Sequence, residues 1–192
     1  MTESRRDAIA DAAIEIIATE GLRALTHRAI DARLDYPAGS TSYYLRTRQA
    51  LIEAVVSRLS TRTFVELGAD GTTLAPRDAD ATAGAIAALV VSMAESRPLD
   101  HLARYALRID LVNEPDLHKL ITDESPIRQR LLAAAAATLG SVGVPEPHVH
   151  APDLVALVDD LIFDRLTNSK ASADPGRVIR AYFRGLVTTR PT

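Results

Sequence analysis

Apolar residues recur at helical spacing along nearly the whole chain, and no stretch shows the alternation that would mark a half-buried strand. Ile9, Ala12, Ala13, Ile16 and Ile17 form a stripe running from a capping signal at Ser4 to Gly21. This predicts a first helix over Arg5 to Glu20, closed by glycine in the left-handed conformation. Leu22 and Leu25 return to the core, Thr26 caps a short second helix carrying Ile30 and Leu34, and Asp35, Tyr36 and Pro37 make a turn. Ser40 to Leu45 reads as a third helix, too short to be stable alone in water. A fourth begins near Arg48 and runs to about Leu67, with Leu51, Ile52, Val55, Val56, Leu59 and Thr63 on one stripe. At 1.5 Å per residue it spans roughly 30 Å, enough to connect two modules rigidly.

Beyond a Gly-, Thr- and Pro-rich loop at 68–77, helical patterns resume with Ile86, Leu89, Val90 and Met93. They continue through Leu99 to Val112, a short turn near Leu117 to Ile121, and Pro126 to Leu139 behind a Ser125 cap. Gly140 to Pro152 holds two Gly and three Pro and reads as a break before two last helices, about Asp153 to Thr167 and Pro175 to Val187. The expected fold class is all-α.

Composition narrows the chemistry. Of 192 residues, 47% are hydrophobic and 24% charged, the balance of a folded chain, and no Cys is present, which excludes disulfides, thiolate metal sites and cysteine nucleophiles. No apolar run is long enough to span a bilayer and Arg5, Arg6 and Asp7 stand where a signal peptide needs apolar residues, so a cytoplasmic location is expected. The net charge of −3 does not advertise a nucleic-acid binder, but its distribution is uneven. Residues 1–62 hold nine Arg against eight acids, the remainder thirteen bases against seventeen. Between Tyr36 and Ala50 the only charges are Arg46 and Arg48.

Three short helices in the first 45 residues, followed by a long helix that starts at a basic residue, resemble the DNA-binding domain of the TetR family. The carrying residues are Thr26-His27-Arg28-Ala29-Ile30, similar to the opening of that family's second helix, and Gly39-Ser40-Thr41-Ser42-Tyr43-Tyr44-Leu45-Arg46-Thr47-Arg48-Gln49-Ala50-Leu51, similar to its recognition helix and the start of helix four. The close match covers roughly the first quarter of the chain. It departs from the family at the turn, where Leu34-Asp35-Tyr36-Pro37 replaces the usual small-Gly-aliphatic-Ser, and at Thr41-Ser42, where Leu-Tyr is common. The resemblance implies a helix-turn-helix DNA-binding domain over 1–46 and an effector-binding and dimerisation domain over 47–192.

Residue chemistry agrees with that implication. Gly39, Ser40, Thr41 and Ser42 give a small, hydroxyl-bearing surface suited to close approach in the major groove. Tyr43 and Tyr44 offer flat bodies and phosphate-reaching hydroxyls, and Arg46 and Arg48 add charge for the backbone. Arg28 has the fork that meets a guanine edge, while Thr26 caps its helix and, with His27, is a phosphate candidate by analogy. Arg28, Thr41 and Tyr43 are the expected groove-facing residues, and Arg48 and Tyr44 the positioning ones. The same Ser/Thr/Gly cluster would alone be an ordinary loop and cap.

In the second half, Leu154, Leu157, Val158 and Leu161 make one apolar stripe and Ile179, Tyr182, Phe183 and Leu186 another, expected to pair with a second copy as a four-helix dimer interface. Candidate effector-lining residues are Phe64, Met93, Arg104, Tyr105, Leu107 and Arg108, most of them equally readable as core or surface. With aromatics at 4%, an aliphatic or mixed pocket is favoured over a stacking one. His148-Val149-His150 invites a metal reading but sits between prolines without an identifiable third ligand, and reads as a surface loop. The five His are scattered and no nucleophile has a base, so neither catalysis, a metal nor a cofactor is expected. The expected function is a ligand-responsive regulator, a repressor released from a palindromic DNA operator by a small organic effector. The alternative is a helical sensor or interaction protein that has lost DNA binding.

Overall fold

A computed structural model describes residues 4–67, 78–122, 125–168 and 173–188, and among these every regular element is helical. The order is α1 (Arg5–Glu20), a 3₁₀ turn (Leu22–Ala24), α2 (His27–Arg33), α3 (Ser40–Tyr44), α4 (Arg48–Leu67), α5 (Ala79–Ser96), α6 (Pro98–Asp110), α7 (Pro115–Ile121), α8 (Pro126–Ser141), α9 (Pro147–Thr167) and α10 (Pro175–Thr188). The expected loop at 68–77 lies outside the described residues.

The chain packs as two compact units. One comprises Met1–Glu66 with Leu99–Arg128, the other Leu67–Pro98 with Gln129–Thr192. In the first, α1 begins in a capping box in which the Ser4 hydroxyl accepts from the Asp7 amide and the Asp7 carboxylate from the Ser4 amide. It buries Ile9, Ala13, Ile16 and Ile17 against Leu51, Ile52, Val55 and Leu59 of α4, with Ile30, Leu45, Ala103, Leu107, Leu111 and Leu117 completing the core. The carboxylate of Asp11 takes both Nε and Nη2 of Arg58, at 2.7 and 2.8 Å, and also Arg62 at 2.6 Å. Arg62 reaches on to the buried Asp100 at 2.7 Å, so a half-buried chain of charges ties α1, α4 and α6 together.

In the second unit α5 packs against α9 and α10, burying Ala83, Ile86, Val90 and Met93 with Leu139, Leu154, Leu161, Ile162, Ile179 and Phe183. Arg184 pairs with Asp80, and Arg165 lies 3.6 Å from Glu95.

Several local expectations change. Gly21 ends α1 at φ 85°, ψ 166°, an extended positive-φ conformation open essentially to glycine, and not the left-handed helical one. Residues Pro115–Ile121 form a true helix, α7. Ser125 precedes α8, but among the described residues its buried hydroxyl has no hydrogen-bond partner, and the Arg128 amide is taken instead by the Ser125 carbonyl. The largest difference is at α9, which begins at Pro147 and carries Pro152 within it, so His148-Val149-His150 lies on a helix and not in a loop. Pro147 at the first helical position sacrifices no bond, whereas Pro152 removes only the one to His148, and both residues of that pair are exposed. The helix therefore starts six residues earlier than its prolines predict.

Candidate nucleic-acid interface

The first unit assembles α2 and α3 into a helix-turn-helix whose turn is made as the sequence suggested, with Asp35 at φ 51° tolerating the left-handed region. Gly39, at φ 91°, then starts α3 in a conformation that disfavours a side chain. Thr26 caps α2, its hydroxyl accepting from the Ala29 amide at 3.1 Å.

The organising group of this interface is Asp31, which the sequence reading missed. Its carboxylate is buried and accepts three hydrogen bonds from the start of α3: the Gly39 amide on Oδ2 at 2.8 Å, and the Thr41 amide and hydroxyl on Oδ1 at 2.8 and 2.6 Å. The Thr41 hydroxyl bond holds this carboxyl below the ordinary carboxylate range; burial opposes the shift, and the Thr41 and Gly39 amides and the charge of His27 add to it. One turn earlier on α2, His27 donates from Nε2 to the Leu45 carbonyl at 2.6 Å. The two ends of α3 are thus held by two residues on one face of α2.

Thr41, expected in the groove, is fully buried, because its hydroxyl and its methyl are both committed beneath α3. His27 is half-buried, and its Nε2 is engaged by the Leu45 carbonyl. The Ser40 hydroxyl donates to the Pro37 carbonyl at 2.6 Å and stiffens the turn. What α3 presents outward is Ser42, Tyr43 and Tyr44; Tyr43 is 76% exposed and its ring meets that of Tyr44 edge-on at 5.1 Å. The tyrosine that packs against the core is Tyr36, with the Arg5 guanidinium 4.6 Å above its ring. Arg6 donates to the Tyr44 carbonyl at 3.3 Å. Arg28 and Arg46 are exposed. Arg48 is exposed too, but its Nη1 is 2.8 Å from Glu114, so the stretch that carries no acid in sequence acquires one in space.

The family model described as tetracycline repressor-like, C-terminal domain, matches residues 77–189. The chain belongs to the TetR family. No curated protein sequence matches it. Among solved structures it resembles a protein described as a TetR-family transcriptional regulator from Rhodococcus sp., at 19% identity and TM-score 0.71, over 95% of this chain and 97% of that one. A TetR-family member from Streptomyces coelicolor A3 is 23% identical with TM-score 0.70, over 96% and 98%. The multidrug binding protein EbrR, solved with ethidium, is 22% identical with TM-score 0.66, over 97% and 99%. These likenesses show that the TetR fold extends over both units.

For a TetR-family chain the remaining candidate residues fall as follows. Arg104 donates to the Thr63 hydroxyl at 3.0 Å, Tyr105 and Leu107 are buried, Phe64 is half-buried and Arg108 exposed, all in the first unit. Met93 belongs to the core of the second unit. Of the residues expected at a dimer interface, Leu154, Leu161, Ile179 and Phe183 are already consumed by the chain's own core, since a stripe at i, i+3, i+4, i+7 does not say which neighbour it meets. Leu157, Val158, Tyr182 and Leu186 are half-buried at its edge. The Tyr182 hydroxyl donates to the His150 carbonyl at 3.1 Å, and its ionisation is pushed up by burial and then by Asp153. Phe163 and Val187 remain exposed. Among the described residues no His, Asp and Glu group is placed to hold a metal, and no helix is long and apolar enough to cross a membrane.

Proposed function

We propose that this TetR-family chain is a ligand-responsive DNA-binding transcriptional regulator and not an enzyme: a homodimeric repressor that leaves a palindromic operator when a small organic effector binds. The observation that carries the reading is the clamped α3. A five-residue helix gains nothing for stability by projecting a 76%-exposed tyrosine, whereas a rigid, outward, polar and aromatic face flanked by Arg28, Arg46 and Arg48 suits the major groove and its phosphate walls. DNA reading belongs to residues 1–46 and effector binding with dimerisation to 47–192. One short helix contacts too few bases for useful specificity, which favours two copies on a twofold site. The half-buried Leu157, Val158, Tyr182 and Leu186, at the edges of the α9 and α10 stripes, and the exposed Phe163, on the side of α9 turned away from Val158, are the residues offered to the partner.

The effector reading draws on α6, which carries Arg104, on the Thr63 hydroxyl of α4, with Tyr105, Leu107 and Arg108, and on the likeness to EbrR, a protein solved with ethidium. Selection of bound duplexes from a random-sequence pool by the full-length protein tests the first half: recovery of a twofold-symmetric sequence is expected, and recovery of none overturns the reading. For the second half, a compound that lowers affinity for that duplex must itself bind more weakly in the presence of the DNA by the same factor, because coupling is reciprocal.

A further inference from the structure

Beyond the DNA-binding reading, on which it rests, the geometry points to Asp31 as a positioning residue for sequence readout: its buried carboxylate sets the pose of α3 and, through it, which bases the protein prefers. At five residues α3 is below the length at which a helix sustains itself, and Gly39 supplies no side-chain cap. Its orientation must come from outside. α2 supplies it from one face, with Asp31 on the first turn of α3 and His27 on the Leu45 carbonyl just past its end. That face is itself fixed, because Ile30 between them is wholly buried in the first unit's core and Thr26 caps the helix.

The carboxylate also occupies donors that would otherwise be open to a DNA phosphate. With the Gly39 and Thr41 amides satisfied internally, α3 meets DNA through its outward side chains, Ser42 and Tyr43, and not through its leading amides. Asparagine is a sharp probe of this arrangement. All three hydrogen bonds are donated to the carboxylate, so whichever way an Asn amide is turned its NH2 confronts either the Gly39 or the Thr41 N–H, and one donor is left buried without an acceptor. Thr41→Val is a milder probe that removes the hydroxyl bond alone at nearly constant volume.

The test uses full-length wild-type, D31N and T41V proteins, the best duplex recovered from the random pool by wild type, and a scrambled duplex of the same composition. For D31N, affinity for the selected duplex should fall by about tenfold or more per subunit, the scale of one lost charge-assisted bond. Affinity for the scrambled duplex and its salt slope should stay within about twofold, since Arg28, Arg46 and Arg48 are untouched. T41V should shift the same ratio in the same direction by less, and should keep the test open if D31N does not fold. The double variant should lose no more than D31N, because the two side chains act as one unit. Equal losses on both duplexes, or an unchanged ratio in a folded D31N or in T41V, overturn the assignment. Failure of the wild type to select any duplex defeats the DNA-binding reading itself, and is told apart by that alone.

Discussion

Arg48, the first residue of α4, and Glu114, which precedes α7, are 66 residues apart in sequence and form an ion pair at 2.8 Å beside the proposed DNA surface. Both side chains are about half exposed, so the pair contributes little to stability. Its interest is competition: a phosphate contacting Arg48 must share or displace the Glu114 carboxylate. Glu114 is anchored for that position, its amide bound to the Leu111 carbonyl and its own carbonyl receiving the Leu117 and His118 amides.

Glu114→Gln should therefore raise affinity for selected and scrambled DNA alike, by a few-fold at low salt and less as salt rises. Arg48→Ala should weaken both alike and reduce the log-log salt slope by about 0.9 per subunit. In the Arg48→Ala background the Glu114→Gln gain should vanish. Binding isotherms on both duplexes at several salt concentrations check this, and an undiminished gain without Arg48 would assign Glu114 to general surface charge instead.

Arg28 should behave in the opposite way. It is exposed on α2 with a guanidinium suited to a guanine edge, and its neighbours Thr26 and Ala29 are engaged in the cap. Arg28→Ala should cost about 1–3 kcal/mol on the selected duplex and relax preference at one base pair per half-site, with scrambled DNA less affected. Loss of equal size on both duplexes would make Arg28 another phosphate contact.

Much of this molecule was legible in its sequence because helix signals are local. Ser4, Thr26, Asp35 and Arg48 mark the boundaries where the structure has them, and the α4 stripe from Leu51 to Thr63 is buried as its spacing predicts. What was not legible depends on partners distant in sequence. Nothing around Asp31 announces acceptors for an amide eight residues on, and Thr41 looked like a groove residue because a hydroxyl serves equally as a buried donor. Arg48 looked unopposed because Glu114 is 66 residues away. The α9 and α10 stripes were real, yet α5 covers half of each, which periodicity alone does not reveal.

The lowered ionisation of Asp31 has a consequence for acid stability. A carboxyl whose folded pKa lies below its unfolded value stabilises the fold fully above the unfolded value and loses that contribution as pH falls through the folded one. His27, the titratable group facing it, favours the ionised carboxylate when charged. Chemical melts between roughly pH 5 and 2 should show wild type losing stability that D31N does not have to lose, so the two curves converge toward acid. Curves that stay parallel would mean that Asp31 titrates alike in the folded and unfolded chain.

The hairpin residues should separate into two classes that the sequence stripe does not distinguish. Phe183 is 1% exposed and packed in the second unit's core with Ile179, Leu154 and Leu161. Phe183→Ala leaves a cavity there and should destabilise the fold by about 3–5 kcal/mol, and Phe183→Glu, which buries an unpaired carboxylate, should unfold the unit outright. Phe163 sits on α9 with 38% of its surface exposed, and Leu157 and Val158 are half-buried nearby in sequence. Phe163→Glu places its charge where water reaches it in the single chain, so the melt should move little, whereas at a twofold interface the same charge meets its own copy or an apolar partner without compensation. Sedimentation of Phe163→Glu at micromolar concentration should then show monomer where wild type shows dimer, with helical content unchanged. A wild type that sediments as monomer removes the interface altogether, and a Phe163→Glu dimer as tight as wild type moves it to another face of the hairpin.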